Sequence, residues 1–106
     1  MAREKFQTLT EQMFYILLCL GHECCGTDIM AQVQQLTGGR VSVGPGTLYN
    51  LLEQFLAAGM IRETKVEGRR RSYLITEAGR DALAAEHRRL LTLAADYEKY
   101  TGEGSS

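Results

Sequence analysis

The sequence lacks the features that would place it in a membrane or outside the cell. No apolar run approaches the roughly 18 residues that span a bilayer, and the N-terminus does not have the basic, apolar and small-residue order of a secretory signal. There are only three cysteines, and Cys24 and Cys25 are adjacent, unlike the spaced, even set of a disulfide scaffold. We therefore expect a cytoplasmic protein with reduced thiols.

Common catalytic motifs are also missing. The sequence contains no glycine-rich phosphate loop, no Gly-x-Ser-x-Gly elbow and no His-Glu-x-x-His motif, and its only imidazoles are His22 and His87. We expect neither an enzyme nor a cofactor. A weaker alternative stays open, a metal or redox site formed by His22, Glu23, Cys24 and Cys25. Adjacent cysteines lack the two-residue gap that lets both thiolates reach one tetrahedral ion easily.

What is present is an ordinary globular composition. The 106 residues are 44% hydrophobic and 24% charged, with one proline, which indicates one compact folded unit. Twelve basic and thirteen acidic residues leave a net charge of -1. Bulk charge therefore does not favour nucleic-acid binding, and the distribution of charge along the chain has to decide the question.

Capping residues and apolar spacing predict two helices in the first 40 residues. The first begins at Thr8, the N-cap of a capping box with Glu11, and ends near Gly21. The second is capped by Thr27 and ends at Gly38-Gly39.

The rest of the chain predicts a third helix, a hairpin and a long last helix. Gly44-Pro45 predicts the start of a helix over residues 45–58, with Gly59 as its C-cap. Residues 60–75 turn to β-branched and aromatic types around a polar centre, which is typical of a hairpin. Thr76 then caps a helix of about six turns. Three helices followed by a hairpin is the layout of a winged helix-turn-helix domain, mainly α with a β-hairpin (α+β).

Positive charge is concentrated on the predicted hairpin, the wing. Residues 61–80 carry six basic and three acidic side chains, a local charge of +3. Arg69, Arg70 and Arg71 at the tip, with Lys65, suit phosphate oxygens because each guanidinium offers a planar fork of donors. The alternative is an ordinary solvated hairpin.

In a helix-turn-helix protein the third helix reads bases in the major groove. The residues predicted to face DNA there are Ser42, Thr47, Tyr49 and Asn50.

The last helix carries more apolar surface than a small domain can cover. Its apolar stripe comprises Leu83, His87, Leu90, Leu91, Ala94 and Tyr97. A two-fold homodimer that packs this helix against its mate and the first helix would bury the stripe. The alternative is a helix folded back on its own domain.

We assign residues 8–75 to a winged helix-turn-helix DNA-binding domain, 76–100 to a C-terminal dimerisation helix and 101–106 to a disordered tail.

Two sequence blocks resemble the PadR-type transcriptional regulators. One is Gly46-Thr47-Leu48-Tyr49 with Leu51-Leu52 and Gly59-Met60-Ile61, and the other is Gly68 to Arg71 followed by Tyr73-Leu74-Ile75-Thr76-Glu77-Ala78-Gly79-Arg80. The resemblance implies a dimeric winged helix-turn-helix repressor of the small subgroup that responds to a small, often aromatic effector near the dimer interface. Asn50, Glu53, Gln54 and Leu56 depart from the family pattern.

The combined prediction is a sequence-specific DNA-binding regulator. We expect a ligand-responsive homodimeric repressor on a pseudo-palindromic operator of double-stranded DNA, with the effector cavity lined by Phe14 and Tyr97. The alternative is a winged-helix protein-interaction module that has lost DNA binding, favoured by the net charge of -1 and by Glu53 and Gln54 on the reading helix.

Overall fold

A computed structural model describes residues 8–102. The elements, in chain order, are α1 (Glu11–Cys19), β1 (Cys24–Cys25), α2 (Gly26–Leu36), α3 (Pro45–Ala57), β2 (Ile61–Glu67), β3 (Arg70–Ile75) and α4 (Glu77–Thr101). The three strands form one antiparallel sheet in the order β1-β3-β2. The predicted order of three helices, hairpin and long last helix is confirmed, and the α+β class with it.

The predicted start of α1 was wrong. Its N-cap is Thr10, whose Oγ1 accepts a hydrogen bond from the Met13 amide at 3.1 Å. The sequence Thr-Leu-Thr-Glu offers two threonines, and the later one caps the helix. Glu11 therefore lies in the first turn, where its carboxylate accepts from Arg40 Nη1 at 2.7 Å instead of closing a capping box with Thr8.

The short strand β1 was not predicted, and it displaces the start of α2. Cys24 pairs with Tyr73 and Cys25 with Ser72. This pairing holds Cys25 extended, so Cys25 becomes the N-cap of α2 and no side chain caps the helix. Thr27, the predicted cap, is instead the second residue of the helix.

The helix α3 and the wing follow the sequence pattern closely. Pro45 is the first residue of α3 as predicted. The helix ends at Ala57 with Ala58 as its C-cap, one residue before the predicted cap, and Gly59 follows in the left-handed conformation (φ 75°). The strands β2 and β3 are joined by Gly68 and Arg69, with Gly68 also left-handed (φ 63°). A β-bulge lies between Glu63 and Lys65.

The core is formed where the helices α1, α2 and α3 meet the base of the sheet. The largest fully buried side chains are Phe55, Ile16, Leu17, Leu20, Ile29, Leu48, Leu52 and Val33. Backbone hydrogen bonds fix the base of the wing to this core, from the Ile75 amide to the Leu20 carbonyl (2.8 Å) and from the Thr76 amide to the Met60 carbonyl (2.9 Å). The tip of the wing projects from an anchored base.

The helix α4 begins with close packing against this base. Thr76 caps it as predicted, since Thr76 Oγ1 accepts from the Gly79 amide at 3.2 Å. A Cβ at Gly79 would lie 2.7 Å from Ile75 Cγ1 and would strike the Met60 carbonyl oxygen. Only glycine allows this approach.

Glu86, which borders the predicted apolar stripe, is buried on the inner side of α4. Its carboxylate accepts the Leu9 amide at 3.1 Å and pairs with Arg89. The Arg89 hydrogen bond, followed by the Leu9 amide, lowers the pKa of Glu86 against the opposing effect of burial. This carboxylate holds the segment before α1 against α4.

Past Arg89, every residue of α4 is exposed. The helix runs through Thr101, one residue into the predicted tail, and ends at Gly102 in the left-handed conformation. The remaining tail residues, 103–106, lie outside the described part of the chain. Across residues 8–102 no helix combines the length and apolar character needed to cross a membrane.

Replacing Glu86 with Gln should lower the free energy of unfolding by about 1–3 kcal/mol at neutral pH, because a buried ionic acceptor is removed. The lowered folded-state pKa means that the Glu86 contribution is fully present above the unfolded-state pKa of roughly 4.3 and is lost as pH falls through the folded-state pKa. Denaturant unfolding of both proteins against pH measures this. A difference that stays constant down to acid pH would contradict it.

Candidate nucleic-acid interface

The residues predicted to read bases are all exposed, on the first turns of α3 and just before them, and we call this surface the exposed edge of α3. Ser42 is exposed in the turn between α2 and α3, and Thr47, Tyr49 and Asn50 are exposed on the first turns of α3. The opposite side of α3 is buried in the core.

The turn before α3 is held in place by α1. Gln12 donates a hydrogen bond to the Ser42 carbonyl at 3.0 Å. Arg40 donates to the Glu11 carboxylate at 2.7 Å and to the Tyr15 hydroxyl at 3.1 Å. These hydrogen bonds join the start of α3 to the body of the domain, so the exposed edge has a defined position.

Tyr49 lies across the start of α2. A Cβ built on Gly26 would lie 2.9 Å from Tyr49 Cζ and would collide with the hydroxyl. The Tyr49 side chain is nevertheless 45% exposed. Gly26 therefore provides the space in which the Tyr49 hydroxyl reaches the N-terminus of α2.

The predicted cations are exposed on the wing, and two of them have acidic neighbours. Arg71 Nη1 lies 3.4 Å from Glu63 Oε2, and Lys65 Nζ lies 4.0 Å from Glu67 Oε2. Exposed pairs of this kind contribute little and exchange readily for other partners. Within residues 8–102, Arg69 and Arg70 have no ion pair.

The side of the wing, α3 and the start of α2 enclose a groove of about 590 Å³, which we call the wing groove. It contains predicted DNA-binding residues from two separate elements, Tyr49 on α3 and the three arginines on the wing. Its lining is Cys25, Gly26, Thr27, Tyr49, Leu52, Glu53, Leu56, Arg69, Arg70, Arg71 and Tyr73. The fold thus brings together side chains that are about 20 residues apart in sequence. Ser42, Thr47, Asn50 and Lys65 are not part of this lining.

Tyr73 is a buried lining residue that the sequence did not identify as a site residue. It is 4% exposed, and burial, reinforced by Glu63, raises the pKa of its hydroxyl. Its position in β3, between β1 and β2, explains the burial. Strand alternation alone could have placed Tyr73 on an inner face, but not beside α2.

The three cysteines are free thiols buried in or near the core. Burial raises the pKa of Cys24 to about 11, and its Sγ lies 3.3 Å from the Gln32 amide nitrogen. Within the described chain, no group of His, Cys, Asp and Glu side chains is arranged to hold a metal ion. The adjacent cysteines form the strand β1, so they have a structural part in the fold.

The predicted dimer and effector residues are spread along α4 and α1. Leu83 packs partly buried against its own core, whereas His87 and the four interface residues after it are exposed, Leu90, Leu91, Ala94 and Tyr97. Phe14 on α1 also packs against the core, with its ring edge-on to Tyr15. Neither Phe14 nor Tyr97 lines the wing groove.

Comparison with known proteins identifies relatives in sequence and in fold. Residues 16–85 match the family model described as the transcriptional regulator PadR-like family. A 37.1 kDa protein of transposon TN4556 from Streptomyces fradiae is 38% identical over 61 residues, which are 58% of this chain. The chain spans only 17% of the length of that relative.

Solved structures share the fold over most of the chain. RosR from H. salinarum superposes with a TM-score of 0.64 at 23% identity, over 89% of this chain and 97% of RosR. The smu.1704 protein of Streptococcus mutans superposes with a TM-score of 0.68 at 22% identity, over 87% of each chain. At these identities the likeness establishes the fold.

Alanine substitutions at Gly79 and Gly26 should distinguish a tight contact in the core from a tight contact in the groove. Gly79→Ala should lower the free energy of unfolding by about 1–3 kcal/mol, because its Cβ meets backbone. Gly26→Ala should change stability by less than about 1 kcal/mol, because the half-exposed Tyr49 can swing away. Denaturant unfolding and the NMR signals of the Tyr49 ring measure the two effects. Unmoved Tyr49 signals in Gly26→Ala would contradict the close approach of Tyr49 to Gly26.

Proposed function

The chain belongs to the PadR-like family of transcriptional regulators, and from that premise we propose that it binds double-stranded DNA as a homodimer and represses transcription. The observation that carries the proposal is the wing groove, where Tyr49 of α3 and the arginines of the wing border one cavity. A helix in the major groove and cations beside it would meet bases and backbone together.

Base contacts are assigned to the exposed edge of α3. Thr47 and Asn50 lie on the first turns, the part of a recognition helix that enters the groove, and Ser42 lies just before them. An Asn side chain can pair with both hydrogen-bonding positions of an adenine edge. Glu53, one turn further along, carries a negative charge that phosphates would repel. We therefore confine sequence reading to the start of the helix.

Phosphate contacts are assigned to the wing. Arg69 and Arg70 carry no ion pair among residues 8–102, and the exposed pairs of Arg71 and Lys65 can be exchanged for phosphate. These contacts supply affinity and orientation without sequence information.

Homodimerisation is assigned to the uncovered length of α4. The apolar positions Leu90, Leu93, Tyr97 and Tyr100 continue at alternating spacings of three and four residues, the repeat of a helix that packs on a partner helix. All four are exposed, Tyr100 by 93%. Leu91 and Ala94 border them, and His87 lies at the edge near the domain, so a second copy of α4 would cover the predicted interface.

The dimer sets the form of the DNA site. Two recognition helices related by a two-fold axis read half-sites about 34–36 Å apart, or a multiple of this, on a pseudo-palindromic operator.

We also assign the protein to the cytoplasm, where that DNA lies. A small aromatic effector is assigned to the dimer interface, between Phe14 on α1 and Tyr97 on α4.

A second candidate function is a winged-helix protein-interaction module that does not bind DNA. The ion pairs of Arg71 with Glu63 and of Lys65 with Glu67, and the carboxylate of Glu53 in the groove, favour it. DNA binding driven by phosphate contacts depends steeply on salt, so the salt dependence separates the two functions.

Replacing Arg69 and Arg70 with Ala should weaken binding to all duplexes. It should also flatten the slope of log affinity against log salt by about 0.9 for each phosphate that the variant no longer neutralises. The matched control replaces Arg80 and Arg88, exposed on α4, and should bind like the parent. Fluorescence anisotropy with duplexes of mixed sequence measures both. Equal slopes for the two variants would refute the assignment of the wing.

Replacing Leu93 with Glu should dissociate the dimer, because an unpaired charge cannot be buried in an apolar interface. The dimer dissociation constant should rise by roughly a hundredfold or more, equivalent to about 3 kcal/mol. Sedimentation equilibrium measures it. Leu36→Glu, at a similarly exposed leucine on α2, is the control and should remain dimeric. A dimeric Leu93→Glu protein would place the interface elsewhere.

A further inference from the structure

The chain segment 9–15 is bonded to α4 at one end and to the turn before α3 at the other. We propose that this segment, which we call the α1 strut, transmits the position of α4 to the exposed edge of α3. Glu86 and Gln12, one at each end, then determine how well the protein discriminates between DNA sequences. This inference rests on the proposed function and deepens it, because it names residues that position the reading edge.

The strut is the part of α1 that apolar packing restrains least. The buried side chains of α1, Ile16, Leu17 and Cys19, all belong to its second half. In the first half, Glu11 is exposed and residues 12–15 are only partly buried. Because less apolar surface is removed from water there, the position of the first half depends more on directed polar contacts.

One end of the strut is fixed to α4. The Leu9 amide donates a hydrogen bond to Glu86 Oε1 at 3.1 Å, and Glu86 is 4% exposed. Arg89 Nε donates to the same oxygen at 3.1 Å, which orients the carboxylate from its own helix. A hydrogen bond to an ionised acceptor is stronger than one between neutral groups. Leu9 therefore follows α4.

The other end of the strut is fixed to the turn before α3. Gln12 Nε2 donates to the Ser42 carbonyl at 3.0 Å. Arg40 donates to the Glu11 carboxylate at 2.7 Å and to the Tyr15 hydroxyl at 3.1 Å. These three contacts come from the first five residues of α1, so the turn follows the strut.

The turn itself combines a permissive start with an anchored end. Gly38 and Gly39 both adopt the left-handed conformation (φ 61° and 83°), which gives the backbone freedom. Val41 and Val43 are buried, and Pro45 begins α3 two residues later. A displacement of this short connection therefore displaces the start of α3.

Displacing the start of α3 should affect the reading of bases more than the binding of phosphates. Hydrogen bonds to base edges require a close distance and a favourable angle, and Thr47 and Asn50 lie on the first turns of α3. The wing is attached elsewhere, through the backbone hydrogen bonds of Ile75 and Thr76. The strut therefore acts on discrimination and leaves the phosphate contacts of the wing in place.

The test is the ratio of two affinities, one for a duplex enriched from a random pool and one for duplexes of mixed sequence. Glu86→Ala and Gln12→Ala should each lower this ratio about three- to tenfold, part of the discrimination that one base contact provides. A smaller folded fraction lowers both affinities equally, so loss of stability alone leaves the ratio unchanged. Glu98→Ala and Gln35→Ala, exposed on α4 and α2, are the matched controls and should keep the ratio of the parent. Sedimentation equilibrium checks that all four variants have the oligomeric state of the parent.

A ratio equal to that of the parent in either Glu86→Ala or Gln12→Ala would overturn the strut and leave the proposed DNA binding intact, because both ends have to act. If the parent bound no duplex, the proposed function would fail, and the amide signals of the free ¹⁵N-labelled protein would decide the strut separately. Glu86→Ala should then shift the Arg40 and Ser42 signals, whereas Glu98→Ala should not. Unshifted Arg40 and Ser42 signals in Glu86→Ala would overturn the strut.

Discussion

The antiparallel pairing of Cys24 and Cys25 with Tyr73 and Ser72 is the interaction on which the candidate interface depends. It adds one short strand to the hairpin and so attaches the start of α2 to the central strand of the wing. The backbone hydrogen bonds of Ile75 and Thr76 separately fix the base of the wing to the core. Together these contacts place the arginines of the wing and Tyr49 of α3 around one groove.

The same pairing explains several local features. It holds Cys25 extended, so α2 begins at Gly26 with its first amides uncapped. It also places Tyr73 in the central strand, where the residue is buried and lines the groove. Burial of Cys24 raises the pKa of that thiol to about 11, and this keeps the thiol protonated inside the strand pair. A structural requirement thus accounts for a cysteine pair that could be mistaken for a reactive site.

How much of the molecule the sequence could predict depended on the range of the interaction. Periodic apolar residues and Pro45 located the helices, and Gly68 located the turn of the wing, because these signals are local. A two-residue strand has no periodicity, so β1 could not be found, and its pairing moved the cap of α2 from Thr27 to Cys25. Tyr49 and the arginines were identified by type, but their meeting with Gly26 and Tyr73 is a product of tertiary packing. Glu86 was overlooked because a charged residue beside an apolar stripe is normally solvated.

The central claim is that two copies of the exposed edge of α3, each flanked by a basic wing, read one DNA site. Selection of bound duplexes from a random pool tests it most directly. We predict enrichment of an inverted repeat whose half-site centres lie about 10–10.5 base pairs apart, or a multiple of that spacing. A pool that shows no enriched sequence after repeated rounds would contradict it.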